Sequence, residues 1–430
     1  MSAAIIGLLI LLALALSGIP LAFAMAFVGL FGLTALIGFE PAIGQLARVT
    51  LDNIANYSFS ILPLFLLMAN FVSRSGMAKE LYEASYAFVG HRRGGLAMAT
   101  IMACGGFSTV AGSSLATVAT MAPIAMPEMR ARGYKAELAA GAIASGGTLG
   151  ILIPPSIILV IYGNLTETDI GMLFIAGIIP GIVGLALYLG AVWAVTRFDP
   201  EAGPAGERAS WPERIVALRG IWALLALFAA IIGGIYFGVF TPTEAAGIGA
   251  VLSLAFALMR RRMTWPVLAA TLSEAAVTTA ALLFLVATSQ VFATFVNVAG
   301  LPYALSNYAS TADIAPWAVI AIILAAFLVL GCVFEAFSLI LLFVPIIYPI
   351  VAALGFDLIW FGIVLVVVVE VGLISPPVGL NVFVLRTVQH DVPLMAIFRG
   401  VMPFIAADMV RLALFCLFPG IILALPAIMR

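Results

Sequence analysis

Two stretches of this sequence gather residue types that hold small ions inside proteins. One runs Gly146-Gly147-Thr148-Leu149-Gly150-Ile151-Leu152-Ile153-Pro154-Pro155-Ser156, the other Glu370-Val371-Gly372-Leu373-Ile374-Ser375-Pro376-Pro377-Val378-Gly379-Leu380-Asn381. In each, adjacent prolines remove two backbone donors and clash with the preceding turn, and nearby glycines weaken a helix further. A helix interrupted in this way frees carbonyl oxygens to coordinate a hard cation such as sodium. The N-terminus of the half-helix beyond the break directs partial positive charge at an anion.

Two further stretches supply small and hydroxylated residues: Gly105-Gly106-Phe107-Ser108-Thr109-Val110-Ala111-Gly112-Ser113-Ser114 and Phe334-Glu335-Ala336-Phe337-Ser338. Pairing each with one proline break gives two expected sodium (Na+) sites. The first takes Gly112, Ser113 and Ser114 with Gly147, Thr148 and Gly150; the second takes Ala336 and Ser338 with Gly372, Ser375 and Gly379. The solute is expected against Ser113, Ser114, Pro154, Pro155, Glu335, Pro376, Pro377 and Asn381. The competing account is that these glycines and prolines only permit kinks and close helix packing.

Carboxylates at membrane depth are costly and usually functional. Glu335 is expected to meet a substrate amine or hydroxyl, or to carry a coupling proton. Glu370 is expected either to act likewise or to hydrogen-bond amides freed by the break. Thr241-Pro242-Thr243-Glu244 reads as a capping box with proline at the first helical position, a structural role. The central apolar stretches are read as free of Lys and Arg, so an anionic solute must rely on helix dipoles, sodium and hydroxyls.

Enzyme chemistry finds no constellation. His91 and His390 lie beside charged loop residues, no phosphate loop or metalloprotease pair is present, and Cys104, Cys332 and Cys416 sit inside apolar runs as packing residues. A net charge of -1 without a basic stripe argues against nucleic acid.

The elements that must position these residues follow from composition. Of 430 residues, 64% are hydrophobic and 9% charged. Apolar runs near the roughly 20 residues that cross a bilayer recur along the whole chain, so the fold class is all-α, polytopic and embedded in a lipid bilayer. The opening run to about Leu16 is expected to be a first span and not a cleaved signal. An internal repeat is also present: Pro123, Pro127, Pro154 and Pro155 fall on Pro345, Pro349, Pro376 and Pro377, each 222 residues on. With 23 prolines in 430 residues, four such matches have a chance of about 10⁻⁵ at one offset.

Charge gives the two halves opposite orientations. Arg74 to Arg93, Arg130 to Lys135 and Arg260-Arg261-Arg262 are basic and belong inside, whereas Ala352 to Asp357 and Ala299 to Trp317 lack Lys and Arg and belong outside. Matching loops on opposite faces describe an inverted repeat. Residues 94–128 then leave and return on one side, as do 315–349, which makes them re-entrant helical hairpins; the alternative is a pair of ordinary spans in each place. Residues 139–162 and 358–384 become the broken transmembrane helices.

Several segments carry a family resemblance: Gly105 to Val118, Gly150 to Gly163, Leu173 to Gly181, Thr241 to Ala246 and Ile374 to Asn381. Together they resemble the large membrane subunit of tripartite ATP-independent periplasmic (TRAP) transporters. The resemblance implies a sodium-coupled importer of small organic acids in the bacterial inner membrane, working as an elevator. It also implies two partners, a soluble periplasmic binding protein and a small four-helix membrane subunit. On that pattern, 1–90 and 220–300 form a scaffold, 94–197 and 314–430 form the two halves of a transport domain, and 198–219 is a cytoplasmic connector. The alternative is a self-sufficient sodium/dicarboxylate transporter.

Overall fold

The computed structural model describes residues 2–54, 56–311 and 314–429. The expected domain edges at 1 and 430, and part of the stretch from 299 to 317, lie outside the described residues. Among the described residues the chain is helical, with no strand. The first half runs α1 (Ser2–Leu16), α2 (Leu21–Ile37), α3 (Phe39–Ile54), α4 (Ile61–Arg74), α5 (Met77–Val89), α6 (Gly95–Ala111), α7 (Ser114–Ala131), α8 (Ala136–Thr148), α9 (Ile157–Thr166) and α10 (Ile170–Phe198). After a connector carrying α11 (Trp211–Gly220), the second half runs α12 (Trp222–Tyr236), α13 (Pro242–Met259), α14 (Trp265–Val298), α15 (Leu301–Thr311) and α16 (Pro316–Gly331). It continues with α17 (Ala336–Ala353), α18 (Leu358–Ile374), α19 (Leu380–Val388), α20 (Leu394–Leu417) and α21 (Gly420–Met429).

The repeat read from the prolines holds for the helices. Adding 222 to the bounds of α7, 114 and 131, gives 336 and 353, the bounds of α17; the same shift takes α9 from 157–166 to 379–388, against 380–388 for α19. Among the described residues, six helical runs are long and apolar enough to cross a membrane, the longest being Trp265–Val298. Ile5, Ile6 and Leu9 of α1 and Phe23, Phe27 and Phe31 of α2 are exposed, the surface expected of lipid-facing helices.

Each half contains a helix–turn–helix and an interrupted helix. α6 and α7 pack against one another about a turn at Gly112, whose φ of 58° lies in the left-handed region that glycine enters without a Cβ penalty. α16 and α17 form the equivalent pair. α8 gives way to a 3-10 turn at Leu149–Ile151 and an extended segment before Ser156 caps α9, its Oγ accepting from the Leu159 amide at 3.3 Å. α18 stops at Ile374, and α19 starts after Gly379. The Pro154-Pro155 and Pro376-Pro377 peptide bonds are both cis. Every residue of α18 from Ile359 to Ile374 is buried, as is every residue of α8 from Leu138 to Thr148. Two helices buried on all sides thus form the centre of the molecule.

Contacts between loops establish the inversion. Arg130 pairs with Asp391 at 2.5 Å, setting the end of α7 beside the end of α19. Tyr162 donates to the Leu358 carbonyl at 2.7 Å, setting α9 beside the start of α18. The span α8–α9 therefore runs antiparallel to α18–α19, its equivalent in the repeat. The connector lies at the basic end: the Gly94 amide donates to the Gly203 carbonyl at 2.8 Å, and the Lys135 amide to that of Ala202 at 3.1 Å. There the Lys135 ammonium, 2.5 Å from Asp199, holds that carboxyl below the usual carboxylate range. Arg260 joins the same end through Glu80, at 2.6 Å.

This arrangement predicts opposite sidedness for equivalent exposed positions. In a cysteine-free background, Ala131→Cys is expected to react with an impermeant maleimide only from the cytoplasmic side and Ala353→Cys only from the outside. Labelling of both from one side contradicts the inversion.

Candidate ion and solute site

The first break meets the first hairpin. Ser113 is the N-cap of α7, its Oγ accepting from the Ala116 amide at 3.4 Å. Gly150 comes so close that a Cβ there would lie 3.1 Å from Ser108 Oγ, 3.2 Å from Thr117 Oγ1 and 3.3 Å from the Ser113 carbonyl oxygen. A Cβ on Gly147 would lie 3.1 Å from the Ser114 carbonyl oxygen, and one on Gly112 would lie 3.2 Å from the Ile157 side chain. Gly112, Ser113, Ser114, Gly147 and Gly150 are thus brought to one place. Thr148 is turned elsewhere, its Oγ1 lying 3.0 Å from the Tyr188 hydroxyl.

Ser108 and Thr117 join this group without having been singled out by the sequence. Both donate to carbonyls of their own helices, at 2.5 Å to Cys104 and 2.9 Å to Ser113. Their position on the hairpin was the available signal. The surrounding oxygens are neutral hydroxyls and carbonyls from two elements, a donor set that fits a hard monovalent cation better than a soft metal.

The second break meets the second hairpin through backbone. The Gly379 amide donates to the Cys332 carbonyl at 3.2 Å, and a Cβ on Gly372 would lie 2.6 Å from the Gly331 carbonyl carbon. Because Gly331 and Cys332 act by main chain, their side-chain types gave no sign of it. Ser375 Oγ donates to the Val371 carbonyl at 2.7 Å. Ala336 is buried and Ser338 half-buried, the latter 3.4 Å from Glu335 Oε2 through both its amide and its hydroxyl.

The two breaks differ in cover. Pro154 and Pro155 are buried, with α10 so near that a Cβ on Gly177 would lie 2.8 Å from the Leu152 carbonyl oxygen; Pro376 and Pro377 are exposed. Asn381 links the two regions. Fully buried, it donates to Ser114 Oγ at 2.6 Å and to the Ala144 carbonyl at 2.9 Å.

The carboxylates take three different places. Glu335 is the N-cap of α17, a role its residue type permits but does not announce. Glu244 closes its capping box with Thr241, as read from the sequence. Glu370 bonds no freed amide: it pairs with Arg411, which also lies 2.8 Å from Asp408, and all three are fully buried. The central stretches therefore do hold a cation, against the expectation. Asp408 and Arg411 stand three apart on one face of α20, and that spacing in an apolar run was the overlooked signal.

Two inverted halves, each with a hairpin laid against an interrupted helix, define an inverted-repeat membrane transporter. The same fold occurs in the YdaH transporter of Alcanivorax borkumensis, with a TM-score of 0.64 and 13% identity over 89% of each chain, a likeness of fold alone. The family is given by sequence: residues 8–421 match the family described as "Tripartite ATP-independent periplasmic transporter, DctM component", and the chain belongs to it. It is 38% identical to the "C4-dicarboxylate TRAP transporter large permease protein DctM" of Pseudomonas aeruginosa, over 93% of each chain. It is 32% identical to the "Sialic acid TRAP transporter large permease protein SiaM" of Vibrio cholerae over 96% of each. With the "Ectoine TRAP transporter large permease protein TeaC" of Halomonas elongata it shares 33% identity, over 99% of this chain and 98% of that one. Each of these relatives is named as a large permease protein.

A buried ion pair that loses one partner leaves the other charge stranded. Arg411→Met is expected to destabilise the protein by about 3–5 kcal/mol, read as a lower unfolding temperature in detergent. Replacing Glu370 and Asp408 by Leu in the same variant is expected to restore most of it.

Proposed function

We propose that this chain is the translocating subunit of a sodium-coupled TRAP transporter in the bacterial inner membrane, carrying a small organic acid inward by an elevator movement. The observation that carries the reading is the meeting of the first hairpin with the first break. There Gly150 lies against Ser108, Ser113 and Thr117, and the oxygens on offer are neutral and suited to sodium. The second hairpin and break repeat the arrangement with backbone groups, which supports a second sodium ion there.

Between the two, Ser114 and Asn381 belong to opposite halves and touch. A solute held at this junction is within reach of hydroxyls and helix ends from both halves. With Arg411 engaged by two carboxylates, the carboxylate of an organic acid depends on those dipoles and on bound sodium for its charge. Relatives named for C4-dicarboxylate and sialic acid support an organic acid as cargo. On the same reading, 94–197 and 314–430 move against a scaffold of 1–90 and 220–300. A periplasmic binding protein delivers the solute, and a small four-helix subunit completes the membrane complex.

Reconstitution into liposomes with the small subunit and a loaded binding protein tests this. Uptake is expected only with an inward sodium gradient, and Ser113→Leu and Ser375→Leu are each expected to lower it by roughly ten-fold or more. Equal uptake in potassium removes the sodium coupling. Full uptake without binding protein would favour a stand-alone transporter.

A further inference from the structure

One continuous polar chain crosses the centre of the protein and belongs to neither hairpin. Thr148, the last residue of α8, contacts the Tyr188 hydroxyl at 3.0 Å; Tyr188 donates to Asp408 Oδ2 at 2.6 Å. Arg411 lies 2.8 Å from Asp408 Oδ1 and pairs with Glu370 on α18. All five side chains are buried. The ends of the chain are equivalent in the repeat, since 148 + 222 = 370. It therefore runs from the end of one interrupted helix to the matching position on the other, through α10 and α20, which are themselves counterparts.

The packing makes room for this chain. A Cβ on Gly184 would lie 3.2 Å from Arg411 Cζ, so α10 offers the guanidinium a notch there and, one turn later, the Tyr188 hydroxyl. The arrangement is a poor way to gain stability. Glu370 Oε1 and Arg411 Nε and Nη1 have no hydrogen-bond partner among the described residues, and a buried ion pair left partly unsatisfied is no better than apolar packing. Its value lies in direction. Tyr188 donates its one proton to Asp408, so a bond to Thr148 draws on the single Thr148 proton, which the Ser145 carbonyl 2.7 Å away in the same turn also accepts. The contact ties the end of α8, which carries Gly147, to α10, immediately before the 3-10 turn from which Gly150 faces the first hairpin.

We propose that Tyr188, Asp408 and Arg411 are positioning residues that hold the first helix break in the geometry its cation needs and set it relative to the second break. The inference rests on the sodium reading given above. It makes the half-saturating sodium concentration, and not only overall stability, a property of side chains remote from the hairpin.

The test is a sodium titration of the unfolding temperature of the purified chain in detergent, with choline keeping ionic strength constant, alongside sodium activation of uptake. In the wild type, sodium is expected to raise the unfolding temperature. Tyr188→Phe is expected to raise the half-saturating sodium concentration about five-fold or more, as loss of one buried hydrogen bond implies. Thr148→Val, which cuts the same link from its other side, is expected to do likewise, with the double variant no worse than either single one. Trp360→Phe removes a buried bond from α18 to the Phe415 carbonyl, outside the chain, and is expected to lower stability at every sodium concentration without moving the midpoint. An unchanged midpoint in both Tyr188→Phe and Thr148→Val overturns the proposal while leaving the sodium reading intact. A wild type that sodium neither stabilises nor activates overturns both.

Discussion

A backbone carbonyl without an amide partner is tolerated in the apolar interior of a membrane protein only if protein or a bound ligand satisfies it. The paired prolines at 154–155 and 376–377 create such carbonyls in the middle of two helices, and the rest of the architecture answers to them. Each break is backed by a hairpin from its own half. Each hairpin turns on small residues so that its backbone can come within contact distance: at Gly112 in one case, and at Gly331 and Cys332 in the other. α8 and α18 are then buried over nearly their whole length. The cost of breaking two central helices is contained by enclosing them.

Much of this was legible in the sequence because proline and glycine act locally. Two adjacent prolines interrupt a helix whatever packs around it, so the breaks and their repeat spacing could be read from residue type alone. Orientation was legible for a different reason: Lys and Arg remain at one face of a membrane, and the loops carrying them gather at one end here. The capping box at Thr241 and Glu244 was likewise a short-range pattern.

What escaped was long-range. The partner of Glu370 lies 41 residues away on α20, and neither residue alone indicates the other. Arg411 was hidden by the apolar run around it, and Asp408 three positions earlier was the only local hint. Thr148 was assigned to the hairpin because its neighbours Gly147 and Gly150 face it; a helix turns about 100° per residue, and that rotation points its side chain at α10. Glu335 could be read as functional from depth alone, since its capping geometry exists only once α17 has formed.

The hydrogen bond from Tyr188 to Asp408 spans 220 residues of sequence, and this separation constrains how the protein is made. A polypeptide enters the membrane from its N-terminus and tends to fold as it emerges. When α10 is inserted, the acceptor for Tyr188 and the guanidinium that occupies the notch at Gly184 have yet to be synthesised. The first half must therefore wait in the bilayer with a polar hydroxyl and an unfilled groove between its helices. This polar chain is completed late, when α20 slots home against α10.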